Sequence, residues 1–230
     1  MQNVLMTGAN RGIGLEFARQ FAAAGWRVFA CCRNPAAAAA LTELKSRMKG
    51  AVSLHAVEVT DQASIAHLAA ELKGQPLDVL INNAGVDGRN ASAIGQTDTK
   101  VWLQTLAVNT IAPMHMAEAF LPNLMQGERK IIATVSSRMG SITELNGGSY
   151  AYRSSKAAVN AVMKGLSGDL GDRGVIAVSL HPGWVQTDMG GPSAPIKPGD
   201  SVRNLLKVIT GLKPQDNGKF LNFDGGTIPW

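Results

Sequence analysis

Thr7-Gly8-Ala9-Asn10-Arg11-Gly12-Ile13-Gly14 joins a short apolar run, Val4-Leu5-Met6, to a segment whose apolar residues return every three or four positions from Gly12 to Ala24. That order predicts a strand, a glycine turn and a helix. It is the setting in which an open α/β sheet receives a dinucleotide. Gly8 permits the tight turn, Gly12 lets the backbone approach a pyrophosphate, and Gly14 lets helix and strand pack closely. The helix N-terminus adds free N–H groups and positive potential, so the turn reads as a phosphate cradle.

The same alternation runs outward from this turn along the whole chain. Strands are expected at Val4–Thr7, Arg27–Cys32, Val52–Val59, Val79–Asn82, Lys130–Ser136, Val175–Leu180 and Lys219–Asn222, each apolar enough to be covered on both faces. Helices are expected at Gly12–Ala24, Pro35–Lys49, Gln62–Leu72, Thr99–Met125, Ala151–Leu170 and Pro198–Leu212. The pattern predicts an α/β fold: a doubly wound, Rossmann-type, mostly parallel seven-stranded sheet with helices on both faces. Its 230 residues are expected to form one domain, 1–230. Gly183–Gly199, rich in glycine and proline, reads as a long loop placed to act as a lid.

Composition narrows the function. No apolar stretch is long enough to span a bilayer and the first residues lead straight into a strand, so a soluble, cytoplasmic protein that engages no membrane is expected. The two cysteines, Cys31 and Cys32, are neighbours on a strand and point to opposite faces, so they read as buried thiols. His55, His67, His115 and His181 lack ligand spacing, and no metal is expected. The net charge of +5 is spread along the chain with little aromatic interleaving, so an anionic cofactor explains it better than nucleic acid.

The second strand decides which nicotinamide cofactor fits, because its end lies beside the adenosine ribose. It ends in Cys31-Cys32-Arg33, with no carboxylate to hold a free 2′-hydroxyl. Arg33 can instead pair with a 2′-phosphate, and Arg11 in the glycine turn can supply a second positive group, so NADP(H) is the expected cofactor.

Tyr152-Arg153-Ser154-Ser155-Lys156 sets a phenol and an ammonium four residues apart on a predicted helix, hence on one face. A nearby cation favours the phenolate, so Lys156 is expected to bring Tyr152 below its usual value of about pH 10 and make it a proton donor nearer neutrality.

The glycine turn, this pair and their order resemble the classical short-chain dehydrogenase/reductase family, over essentially all of the chain. Asn82-Asn83-Ala84-Gly85, Val108-Asn109-Thr110, Val135-Ser136-Ser137 and Pro182-Gly183-Trp184-Val185-Gln186-Thr187 match its other motifs. Gly147-Gly148-Ser149-Tyr150-Ala151-Tyr152, His181-Pro182-Gly183-Trp184 and Asp224–Trp230 look like its C-factor-like and sniffer-like carbonyl reductases. The resemblance implies reduction of an aldehyde or ketone, reversible toward alcohols, with Asn109, Ser137, Tyr152 and Lys156 as catalytic residues and Ser136 as the alternative serine. It implies a cofactor site of Gly8, Asn10, Arg11, Gly12, Ile13, Gly14, Arg33, Glu58, Val59, Asn83, Ala84, Gly85, Tyr152, Lys156, Pro182, Gly183, Val185 and Thr187. It also implies a homo-dimer or homo-tetramer through helices near 99–125 and 151–170.

Two departures stand out. The stretch from Ser137 to Tyr152 is longer than is usual in the family, which places a small insertion, Glu144–Ser149, over the substrate pocket. Glu58 stands where an aspartate commonly meets the adenine, with Asp61 as an alternative. Met139, Ile142, Trp184 and Met189 are candidates for a pocket taking a small hydrophobic carbonyl compound, and equally for core packing. A non-catalytic NADP-binding sensor on the same fold is the rival reading, which has no chemical need for Ser137, Tyr152 and Lys156.

Overall fold

Along β1 (Asn3–Met6) the side chains alternate between two apolar layers, Val4 and Met6 entering one and Leu5 the other, all fully buried. That alternation on a strand covered from both sides is why the run reads as continuously apolar. The computed structural model describes residues 1–88 and 93–230. Its other strands are β2 (Arg27–Cys32), β3 (Val52–Ala56), β4 (Val79–Asn82), β5 (Ile131–Val135), β6 (Ile176–His181) and β7 (Phe220–Asn222). They form one seven-stranded sheet in the order β3-β2-β1-β4-β5-β6-β7, and every pair is parallel.

One face is covered by α1 (Gly12–Ala23), α2 (Ala39–Arg47) and α7 (Pro198–Gly211), through Phe17, Phe21, Leu41, Val202, Leu205 and Ile209. The other is covered by α3 (Gln62–Glu71), α5 (Ala112–Gln126) and α6 (Tyr150–Leu170), through Ile65, Leu68, Phe120, Val159 and Met163. A further helix, α4 (Thr99–Leu106), packs on α6, where Trp102 Nε1 donates to Ser154 Oγ at 2.8 Å. Strand order reverses between β1 and β4, and the loops leaving their carboxyl ends therefore open a crevice between them. Buried Asp78 locks this junction: its carboxylate accepts from Asn3 N at 2.8 Å and from Glu128 N at 3.0 Å, tying the start of β4 to β1 and to the segment that enters β5.

Three expected elements differ. The helix over Pro35–Lys49 is split into a 3₁₀ turn, Pro35–Ala37, and α2, because Asn34 Oδ1 accepts from Ala37 N and closes a separate turn. The third strand stops at Ala56 rather than Val59, since its partner β2 ends at Cys32, which is paired with Ala56. The helix over Thr99–Met125 is interrupted by a π-helical turn, Ala107–Ile111. Cys31 and Cys32 are buried and free, and burial pushes both thiols up. Among the described residues no helix is long and apolar enough to cross a membrane, and no group of three or more His, Cys, Asp or Glu could hold a metal ion.

Candidate active site

The glycine turn leaves β1 with Gly8 at φ +65° and Gly12 at φ +53°, values open to glycine and strained for other residues. A Cβ at Gly14 would lie 2.1 Å from Gly8 O and 2.6 Å from Asn83 Nδ2, so only hydrogen fits between the turn and the β4 loop. Asn83 Nδ2 donates to Thr7 O at 2.9 Å and Gly8 O at 3.1 Å, while Thr7 Oγ1 accepts from Asn83 N and Ala84 N. The Asn83 side chain is therefore a staple that shapes the turn, and Thr7, not singled out in the sequence, is its counterpart. No side chain caps α1 at Arg11, so the first-turn N–H groups remain for an anion, and the cradle fits a dinucleotide pyrophosphate.

The groups expected around the adenosine are less uniform. Arg33 is exposed just beyond the end of β2. Arg11 turns instead toward the loop after β6, its Nη1 2.8 Å from Asp188 Oδ2. Glu58 Oε1 accepts from Thr60 N and Thr60 Oγ1 at 3.1 and 2.8 Å, and Asp61 is spent capping α3 through Ala63 N. Val59 is buried, and Asn10 is exposed on the turn.

Ser137 follows β5, and Tyr152 and Lys156 lie on α6. Ser137 and Tyr152 meet at one wall of a cleft of about 870 Å³, and Lys156 is buried next to the phenol. Ser137 and Tyr152 line the cleft together, and the Ser137 hydroxyl is near enough to act on the phenol. Ser136, the alternative serine, also lines it, but its Oγ is committed to Asn160 Oδ1 at 2.7 Å, which leaves Ser137 as the serine whose hydroxyl acts on the phenol. Lys156 Nζ lies 5.7 Å from the Tyr152 ring centroid and donates to Val135 O at 2.8 Å. Gly140 makes this approach possible, because a Cβ there would fall 2.7 Å from the Lys156 carbonyl carbon.

The π turn presents Asn109, buried, with its side chain fully engaged: Oδ1 accepts from Val86 N at 2.9 Å, and Nδ2 donates to Val86 O at 2.8 Å and to Ser155 Oγ at 3.0 Å. Widened turns of this kind recur at functional sites. Gly85 sits against this group, since a Cβ there would be 3.3 Å from Asn109 Oδ1 and 3.8 Å from Lys156 Nζ. Ile13, Pro182, Gly183, Val185 and Thr187 line the cleft on its far side, and Thr187 Cγ2 approaches the Cβ position of Gly12 to 3.3 Å. The cleft thus runs from the glycine turn to Tyr152. Glu144, Asn146 and Ser149 line it too, so the insertion borders the pocket as expected. Met139, Trp184 and Met189 belong to the lining, whereas Ile142 is not part of it and is 70% exposed.

Electrostatics correct one expectation. Burial pushes the Tyr152 phenol above its ordinary value, the nearby Ser137 hydroxyl pulls it partly back, and the charge of Asp87 pushes it up again. The phenol is therefore held neutral, not brought below its usual range by Lys156. Lys156 is the group that moves toward neutrality, brought down from 10.5 to about 8 by burial. A buried cation that would rather be neutral costs stability below pH 8, a cost that fades as pH rises from 8 toward 10.5. Lys156→Met is accordingly expected to raise stability at pH 7 by about 2 kcal/mol, the desolvation gain being offset in part by the unpaired Val135 carbonyl. Calorimetry checks this, and a lower melting temperature for the variant contradicts it.

The sequence matches the family described as short chain dehydrogenase over residues 2–196. The chain belongs to that family of oxidoreductases. Within it the chain groups with C-signal and the Sniffer-type carbonyl reductases. It is 48% identical to C-signal of Myxococcus xanthus over 156 residues, 67% of this chain and 93% of that one. The NADPH-bound carbonyl reductase from chicken fatty liver superposes with a TM-score of 0.93 at 38% identity, covering 100% of this chain and 99% of that one. Carbonyl reductase Sniffer of D. melanogaster gives 0.93 at 36% identity, with both chains covered in full.

Proposed function

We propose that this protein is an NADPH-dependent reductase of aldehydes or ketones, working through Ser137, Tyr152 and Lys156. The observation that carries this reading is the placing of Ser137 and Tyr152 together on the wall of a cleft that reaches the glycine turn, with Lys156 Nζ 5.7 Å from the phenol ring centroid. NADPH, when bound, supplies the hydride. Tyr152, neutral at physiological pH, donates the phenolic proton to the carbonyl oxygen, and the Ser137 hydroxyl holds that oxygen as negative charge develops on it. Lys156 Nζ, beneath the phenol and beside Gly85, offers donors to the nicotinamide ribose. Asn109 fixes the Val86 backbone and Ser155, and so holds the helix on which Tyr152 and Lys156 stand. Met139, Trp184 and Met189 supply apolar contact for the body of the substrate.

A panel of aldehydes and ketones incubated with NADPH, followed at the nicotinamide absorbance, tests this directly. Turnover separates the enzyme from a sensor that binds the cofactor without chemistry. The absence of a carboxylate at the end of β2, with Arg33 exposed there, supports preference for the phosphorylated cofactor. NADPH is expected to bind at least about tenfold more tightly than NADH, roughly 1.4 kcal/mol, which one charge-assisted phosphate contact supplies. Arg33→Asp is expected to erase or reverse the preference. Equal dissociation constants in the unmodified protein would refute the assignment.

A further inference from the structure

Five buried side-chain polar atoms lack a hydrogen-bond partner among the described residues, and two of them, Arg153 Nε and His181 Nδ1, belong to residues lining the cleft. A buried polar atom without a partner is a standing desolvation cost, and two at one site mark where a ligand's polar groups are missing. Among the described residues the charged groups of the lining are Asp87, Arg138, Glu144 and Arg153. Arg138 Nε stands 3.6 Å from Glu144 Oε2, so each partly offsets the other, and Asp87 acts on the Tyr152 phenol. Arg153 differs. Its one hydrogen-bonded side-chain partner is neutral, Asn146 Oδ1 at 2.5 Å from Nη2, and no carboxylate lies within ion-pairing distance among the described residues. His181 adds no charge, because burial and Arg138 hold it down at about 4.

We propose that Arg153 determines specificity by holding a carboxylate of the substrate, so that the preferred substrates are carbonyl acids, with an apolar body against Met139, Trp184 and Met189. The assignment rests on the reductase reading and narrows its substrate class. Arg153 follows Tyr152 on α6, and neighbouring helical positions point about 100° apart, so phenol and guanidinium meet one molecule at two separated points. A substrate with its carbonyl and carboxylate at opposite ends of a rigid ring tests that two-point contact. A planar guanidinium is the side chain matched to a two-oxygen acceptor.

The test compares 4-carboxybenzaldehyde with methyl 4-formylbenzoate, which share shape and reactivity and differ in charge, using NADPH and the unmodified protein or Arg153→Met. The acid is expected to show at least about tenfold higher kcat/KM than the ester, and the variant to collapse that ratio toward one, mainly through the KM of the acid. A ratio near one in the unmodified protein overturns the proposal. So does a variant that lowers acid and ester alike, which is what a purely structural bond to Asn146 predicts. A second measurement separates this from failure of the reductase reading: calorimetric titration of the NADP complex with 4-(hydroxymethyl)benzoate. Binding weakened at least about tenfold by Arg153→Met sustains the carboxylate site even where no carbonyl is turned over. Failure of the unmodified complex to bind it sinks the site.

Discussion

Tyr152→Phe is expected to lower carbonyl turnover about a thousandfold, roughly 4 kcal/mol of barrier, while NADPH binding and melting temperature stay close to those of the unmodified protein. The change deletes one oxygen, the phenolic proton donor on the cleft wall beside Ser137, and leaves the ring next to Lys156 in place. Ser137→Ala is expected to cost less, since it removes a donor that steadies charge and leaves the proton source intact. Retention of more than about a tenth of the turnover by the Phe variant would require another donor. The pH profile carries a second check. Reduction needs the phenol protonated, and because burial holds Tyr152 above its ordinary value, that condition persists through neutrality and beyond. Lys156 titrates first, at about 8, so kcat/KM for NADPH should be flat below that pH and decline above it as the ammonium is lost. Alcohol oxidation, which needs the phenolate, should instead gain with rising pH. A decline of reduction that survives unchanged in Lys156→Met would show that some other group titrates there.

The second large effect is expected at Gly14. An added methyl would sit 2.1 Å from a backbone oxygen and 2.6 Å from the Asn83 amide, so Gly14→Ala must push α1 off the turn or break the staple. Either movement displaces the N–H groups that face the pyrophosphate. A loss of about 3 kcal/mol, the upper part of the overpacking range, corresponds to a melting temperature lower by about 10 °C in a chain of this size. NADPH affinity should fall by at least about a hundredfold. Gly25→Ala is the control: nothing lies within 4 Å of its Cβ position, so only the strain of φ +82° is added, and cofactor affinity should hold. If the two variants bound NADPH equally well, the close approach at Gly14 would not be what shapes the cradle.

What the sequence made legible is what short-range pattern controls. The apolar runs placed all seven strands, and the spacing of Gly8, Gly12 and Gly14 marked the turn where the cradle is found. The four-residue spacing of Tyr152 and Lys156 put both on one face of α6. Features that depend on distant partners were not legible. Ala107-Val108-Asn109-Thr110-Ile111 reads as ordinary helix, and the π turn is seen only once Asn109 is bonded to Val86, 23 positions away. Gly140 gave no signal because its constraint is the backbone of Lys156. The direction of the Tyr152 shift was missed for a related reason: spacing reveals a neighbouring charge but not the burial that outweighs it. That Arg153 Nε and His181 Nδ1 lack partners was not legible either, because a missing partner is a property of the folded cleft.

The wholly parallel sheet also governs how the chain is made. No two strands close as a hairpin, and the contact that locks β1, Asn3 N to Asp78 Oδ2, spans 75 positions. On the ribosome the first three strands must therefore wait, with one edge of β1 bare, until β4 has emerged to cover it. Loop closures of that length slow folding and leave a template on which other nascent chains can pair. Supply of active protein should then be set as much by chaperone capacity and growth temperature during synthesis as by the stability of the finished fold.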